Sequence, residues 1–417
     1  MLKLSRFGLR YTGCSGIVAL MEDFGSALRH NPDLIMMGGG TPARIPAVEQ
    51  VFRSHLQQIA SDPERAFSLL GRYQGPQGDL DVRTQVAGLL RAEYGWQVAA
   101  DNIAVTNGGQ SAFSILANML AGEEADGTQG VIRFPLVPEY LGYTDVGLGE
   151  PFFRSSRPLL ELLPDNLFKY RVDFANFDID ADVAALCVSR PTNPSGNMLS
   201  SVELRRLDTL ARARGIPFII DAAYGAPFPS IEFGAPDAYW SDNVILLLSL
   251  SKLGLPGLRS GFIVASPELV QAFASANTIL NLASGNAGPA LLSSLLRSGE
   301  LLPLCRNTIQ PWYKQKLDVA LDCLRRELGN LPYRMHQPEG AFFLWLWFRG
   351  LPVSSARLHE LLKEAGVLVI PGENCFLGLP DVWDHTQQCV RLSYAVDAQQ
   401  LRTAASIIAR VVRALYA

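Results

Sequence analysis

No stretch of this 417-residue chain is apolar for long enough to cross a bilayer. The longest runs, 244–250 and 342–348, are strand-sized against the ~18 residues that a span requires. The first residues lack the charged-then-apolar order of a secretory signal. Six cysteines (Cys14, Cys187, Cys305, Cys323, Cys375 and Cys389) form no CxxC pair and no metal-ligand spacing, which fits scattered reduced thiols rather than a disulfide scaffold. The five histidines make no triad or metal spacing, and His385, beside Asp384, is expected on the surface. Positive charge is not in excess: 36 Lys and Arg against 40 Asp and Glu leave a net charge of −4, with no general attraction to nucleic acid or anionic lipid. No G-x-G-x-x-G joins a strand to a helix and no Walker loop occurs, so dinucleotide and P-loop chemistry lack their usual phosphate cradle. Repeats, low-complexity tracts and Pro/Gly/Ser-rich linkers are missing too. The expectation is a cytosolic, soluble protein with neither nucleic-acid nor membrane partners.

What is present is a globular composition, 48% hydrophobic and 18% charged, with length for two or three domains at about 150 residues each. Short apolar runs at 103–106, 131–134, 184–188, 218–220 and 244–248 alternate with helical patterns. Ser200-x-x-Glu203 is a capping box opening a helix with Leu204, Leu207, Leu210 and Ala211 on one face, stopped at Gly215. Such alternation predicts an α/β fold, a mostly parallel buried sheet flanked by helices. Beyond about residue 290 helices precede strand-like runs at 340–348 and 390–394, with a helix near 354–365 between them. This predicts a large domain over 46–290 and a smaller α+β domain built from 291–417 with the N-terminal segment 1–45.

Polar residues cluster where ligands gather in such sheets, at the carboxyl ends of strands. Lys252 follows the run 244–248 in Ser249-Leu-Ser251-Lys252, with Arg259 seven residues on. Burial disfavours a charged amine, and a neutral lysine amine can bond a carbonyl cofactor. Ser249, Ser251 and Arg259 suit a phosphate, although a surface Ser-Lys turn reads the same way. Gly108, Gly109 and Gln110 open a helix after the run 103–106, an anion cradle or a plain glycine entry. Asp221 ends the run 218–220 with Tyr224 three residues later: a partner for a protonated ring nitrogen, or a turn cap. Asn193 lies in the rigid Arg190-Pro-Thr-Asn193-Pro-Ser-Gly196 loop. Tyr140 and Tyr143 place aromatics after another strand, for ring stacking or for packing. Arg391 is a charge inside a strand-like run, so either a carboxylate clamp or half of an internal ion pair.

Taken in chain order, the set resembles the fold-type I, class I/II pyridoxal-phosphate aminotransferases, from about Gly13 onward. Longer stretches, among them Met36-Met-Gly-Gly-Gly40-Thr-Pro42, Tyr73-Gln-Gly-Pro-Gln-Gly78 and Phe134-Pro-Leu-Val-Pro-Glu-Tyr-Leu-Gly-Tyr143, resemble the branch that exchanges amino groups between valine and pyruvate. The resemblance implies pyridoxal 5′-phosphate bonded to Lys252, Asp221 on the pyridinium nitrogen, and Tyr224 with Asn193 on the phenolic oxygen. It implies Tyr140 stacked on the ring, and Gly108, Gly109, Gln110, Ser249, Ser251 and Arg259 around the phosphate. Arg391 would clamp the substrate α-carboxylate, helped by Gly39, Gly40 and Asn193. Tyr73 would reach the cofactor of a partner subunit, implying a homodimer with shared sites. Many family members place the arginine eight residues after the lysine rather than seven, which puts the phosphate geometry in question. The alternative activities of the same fold are transamination of aromatic amino acids or 2-aminoadipate, lyase chemistry at Cβ, and a ligand-sensing regulator with an added DNA-binding domain.

Overall fold

The computed structural model describes residues 3–13, 16–234 and 238–417; Cys14 lies outside them. Its centre is an eight-stranded sheet. In spatial order the main path runs Ile103–Thr106, Gly261–Val264, Val244–Ser249, Phe218–Asp221, Val183–Ser189, Gln129–Phe134 and Gly122–Glu123, with Phe153–Ser155 pairing alongside Gln129–Phe134. Val244–Ser249, Phe218–Asp221, Val183–Ser189 and Gln129–Phe134 are parallel neighbours, whereas Gly261–Val264 runs antiparallel to both strands beside it. Val244–Ser249 and Ile103–Thr106 are buried at every position, because helices cover both faces and both side-chain rows must be apolar.

The connecting helix Ser201–Ala213 is opened by the expected capping box, with both the Ser200 and the Glu203 bonds made. Leu204, Leu207 and Ala211 are buried beneath it, and Gly215 takes φ 68°, a conformation glycine adopts at little cost.

A second, six-stranded sheet runs Ile370–Pro371, Cys389–Ser393, Phe343–Phe348, Tyr333–His336, Leu167–Arg171 and Leu159–Leu162. Its last two strands come from sequence between the strands of the first sheet. The segment after helix Gly16–His30 joins this layer through Ile35–Met36, parallel to Val367–Leu368. Among the described residues, no helix is long and apolar enough to cross a membrane, and Cys187, Cys305, Cys323, Cys375 and Cys389 are buried free thiols.

His385 is not on the surface. It is 3% exposed, stacked on Trp383 at 4.4 Å between centroids and paired with the Tyr170 hydroxyl at 2.6 Å. Asp384 says nothing about this side chain, because Tyr170 and Trp347, which help Trp383 to enclose it, come from distant strands. Burial pushes its imidazole down to about 3.

Candidate active site

Three strands of the central sheet end at one place and deliver one group each. Ser189 and Asp221 are register partners on adjacent parallel strands, as are Asp221 and Leu247, so the turn that carries Lys252 starts beside Asp221. The second sheet contributes Arg391 from the middle of Cys389–Ser393, opposite Trp345. The Ser393 amide donates to Met37 O at 2.6 Å, which brings the glycine segment 38–40 across Arg391.

The resulting cavity has a volume of about 330 Å³, within the ~300–1,000 Å³ range of small-molecule sites. Lys252 Nζ projects into it, donates to Gly40 O at 2.6 Å and stands 5.3 Å from the Tyr224 ring centroid. Burial lowers the amine to about 8; Arg391 and Arg259 push the same way, and Asp221 opposes them. A substantial neutral fraction is therefore available near physiological pH. Asp221 is half-buried, and its removal from water raises its carboxyl, while hydrogen bonds from Tyr143 Oη (2.6 Å) and the Ala223 amide (2.9 Å) hold it down. Arg391 is 3% exposed; it donates to Asn193 Oδ1 and Gly38 O, each at 2.6 Å, and lies 4.1 Å over the Phe343 ring. Its Nε has no partner among the described residues, and burial lowers the guanidinium. A buried guanidinium held only by neutral oxygens is prepared for an anion.

The other end of the cavity is built for a second anion. Helix Gly109–Leu120 begins at Gly108 with no capping side chain, leaving first-turn amides free to meet negative charge. Gly108 takes φ 89°, and a Cβ there would lie 2.8 Å from Arg259 Nη2. Arg259 itself takes φ 45° and donates to Ser251 Oγ at 3.3 Å. Ser249 faces Gly109, whose Cβ position would be 3.9 Å from the serine Cβ.

The structure thus brings together Gly39, Gly40, Gly109, Gln110, Tyr140, Asn193, Asp221, Tyr224, Ser249, Ser251, Lys252, Arg259 and Arg391 as cavity lining, with Gly108 directly behind Arg259. Tyr73 stands apart, 80% exposed and outside this cavity. Sequence reasoning quoted Tyr143 without giving it the Asp221 bond, and it missed Ser189. It did not single out Leu20, Met21 and Phe24, which with Ile17 line the cavity from helix Gly16–His30. Their i, i+3, i+4, i+7 spacing from Ile17 was the available signal.

Comparisons with known proteins point to one family. The family model for aminotransferase class I and II matches residues 161–408. Valine–pyruvate aminotransferase of Escherichia coli (strain K12) is 44% identical over 416 residues, covering 100% of this chain and 99% of its own length. A solved valine–pyruvate aminotransferase from Salmonella typhimurium LT2 superposes with a TM-score of 0.89 at 42% identity, over 96% of this chain and 99% of that one. The Thermus thermophilus aspartate aminotransferase, at 22% identity and a TM-score of 0.79 over 99% and 100% of the two chains, supports the fold alone. The family cofactor, pyridoxal 5′-phosphate, fits the residues present. The uncapped helix start with Arg259 answers its phosphate, half-buried Asp221 its ring nitrogen, and the lowered Lys252 amine its carbonyl. The chain belongs to the class I and II aminotransferases, the fold-type I pyridoxal-phosphate enzymes.

Proposed function

We propose that this protein transfers the amino group between L-valine and pyruvate, giving 3-methyl-2-oxobutanoate and L-alanine. The observation that carries this reading is the 44% identity, over the full chain, to a valine–pyruvate aminotransferase. The cavity supports it: the mouth is walled by Ile17, Leu20, Met21 and Phe24, and its cations are Lys252, Arg259 and Arg391. With Arg259 on a phosphate and Arg391 on the α-carboxylate, neither guanidinium is left for a side-chain carboxylate such as that of glutamate.

When bound, the cofactor supplies a carbonyl that accepts the amino group and a protonated ring that withdraws electrons from the substrate Cα. Lys252 would hold that carbonyl through Nζ. Its amine, once released by an incoming amino acid, would move the proton at the substrate Cα, a task for a base whose pKa lies near the working pH. Asp221 would face the ring nitrogen, with the Tyr143 hydroxyl donating to its Oδ2. Tyr224 and Asn193 hold the phenolic oxygen, and Tyr140 stacks on the ring. Gly108, Gly109, Gln110, Ser249, Ser251 and Arg259 bind the phosphate. Arg391 turns from the Gly38 carbonyl to the substrate carboxylate with the Gly39–Gly40 backbone beside it, fixing which Cα bond faces Lys252. Tyr73, exposed on this chain, reaches the phosphate of a second copy in a cytosolic homodimer.

The test is the near-ultraviolet and visible spectrum of cofactor-loaded protein. L-valine should convert the lysine-bonded cofactor to its aminated form, and pyruvate should restore it. A spectrum indifferent to valine, or a donor panel led by glutamate, an aromatic amino acid or 2-aminoadipate, overturns the substrate assignment.

A further inference from the structure

Among the described residues, Glu139 is the most deeply buried acid that the mechanism leaves unused. Glu139 immediately precedes Tyr140 and is 1% exposed, yet it has no basic partner in its hydrogen bonds. One carboxyl oxygen accepts from the Ser189 amide at 2.8 Å and the other pairs with the Ser189 hydroxyl. The Glu139 amide donates to Cys375 O at 2.8 Å, so the residue also ties its loop to the segment Gly372–Cys375. Ser189 itself is 5% exposed, lines the cavity, and is the register partner of Asp221. Downstream, the Arg190 amide donates to Asp221 O at 2.8 Å and Thr192 Oγ1 donates to Ser189 O at 2.8 Å. Ser189 is therefore the root of the turn that carries Asn193, and Glu139 grips that root through both backbone and side chain.

We propose that Glu139 is a positioning residue of the active site: by bracketing Ser189 it holds Tyr140 and Asn193, two residues of the cavity wall, in fixed relation to one another. The inference rests on the cofactor reading of the cavity and not on the choice of amino donor.

The chemistry of the acid agrees with a neutral clamp. Burial pushes Glu139 up to about 8, and the neighbouring Asp221 charge pushes the same way against the Ser189 bonds. Near neutral pH the protonated form predominates, donating to the Ser189 hydroxyl while accepting from its amide. A second anion beside Asp221 is avoided. A glutamine has that same pattern of one donor and one acceptor, whereas a leucine of similar shape has neither.

The experiment measures the dissociation constant of pyridoxal 5′-phosphate for Glu139→Gln, Glu139→Leu and Ser189→Ala, alongside the melting temperature of each apoprotein. Wild-type binding checks the cofactor reading first; its failure removes both readings. Glu139→Gln should bind within about threefold of wild type, while Glu139→Leu and Ser189→Ala should lose about tenfold or more, as expected for buried hydrogen bonds left unmade. Should Glu139→Leu fail to fold, Ser189→Ala, which leaves the carboxyl in place, decides the question. Cofactor affinity unchanged in the leucine and alanine variants, even with lower melting temperatures, would make Glu139 a purely structural acid. A glutamine variant as weak as leucine would equally overturn the clamp, because charge would then be the operative property.

Discussion

Replacing Tyr143 with phenylalanine removes one oxygen and little else. The tyrosine is 1% exposed, its ring lies 4.0 Å from Phe113 and 5.9 Å from Phe134 between centroids, and both contacts survive the change. What is lost is the 2.6 Å bond to Asp221 Oδ2, the strongest influence holding that carboxyl down against its burial. A hydrogen bond to a charged group contributes about 1.5–3 kcal/mol, and each 1.4 kcal/mol is a factor of ten in affinity. At pH 7 the variant should therefore bind pyridoxal 5′-phosphate about 10- to 100-fold more weakly than wild type. The sign with pH follows from the mechanism of the loss. Asp221 in the variant titrates higher, so at neutral pH more of it is protonated and unable to pair with a protonated ring nitrogen. Raising the pH ionises it, and the gap between the two proteins should narrow toward pH 9. Titrating apoprotein with the cofactor at several pH values, read by quenching of protein fluorescence, measures this directly. A gap of equal size at every pH would assign the loss to packing, and no gap at all would refute the role given to the bond.

At Gly108 an alanine would have to adopt φ 89° with its Cβ 2.8 Å from Arg259 Nη2, a strain of about 1–3 kcal/mol relieved by displacing the arginine. Affinity for pyridoxal 5′-phosphate should fall roughly tenfold or more, while that for pyridoxal without its phosphate stays level; equal losses for both would refute the phosphate assignment. Arg391→Lys exchanges a forked donor for a single point charge, so KM for the amino acid should rise about tenfold or more with cofactor affinity intact; an unchanged KM in steady-state assays argues against the clamp. His336 and His385 are both held by burial at about 3, far below the ~6.5 they regain on unfolding. Their folded-state values are depressed, so their contribution is complete above about pH 6.5 and is lost as pH falls toward 3, by up to about 1.4 kcal/mol per pH unit for each. Urea midpoints between pH 7.5 and 5 should decline accordingly, and His385→Phe should flatten that decline; identical slopes in both proteins would show that His385 carries no such linkage.

Much of the central sheet was legible because its strands are short, apolar and buried on both faces. Ile103–Thr106 coincides with the apolar run, and Val183–Ser189, Phe218–Asp221 and Val244–Ser249 extend theirs by no more than one residue at either end, the last of each being polar. That terminal residue is the informative one: Ser189, Asp221 and Ser249 all face the cavity. Pairings between distant segments were not legible. Nothing local in Leu159–Leu162 or Leu167–Arg171 says that this pair of strands joins the second sheet, because the strand that links it there, Tyr333–His336, comes from beyond residue 330. The Tyr143–Asp221 bond spans 78 positions and the Glu139–Ser189 grip 50, and a tyrosine or glutamate in a loop carries no mark of such a partner. His385 failed for the same reason, its enclosure by Tyr170 and Trp347 being a property of the fold rather than of its neighbours in sequence.

The carbonyls of Gly38 and Gly40 accept the very protons that Arg391 and Lys252 would offer to substrate and cofactor. The two cations are thus self-occupied, each answered by neutral backbone in place of a carboxylate. Ligand entry becomes an exchange of partners more than a gain of hydrogen bonds, so the number of bonds changes little and affinity depends on the charge that arrives. A neutral carbonyl compound competes poorly with backbone already in place, whereas an anion displaces it with ease. The segment Gly38–Gly40 thereby holds both basic groups through its carbonyls, and an incoming anion is what displaces it.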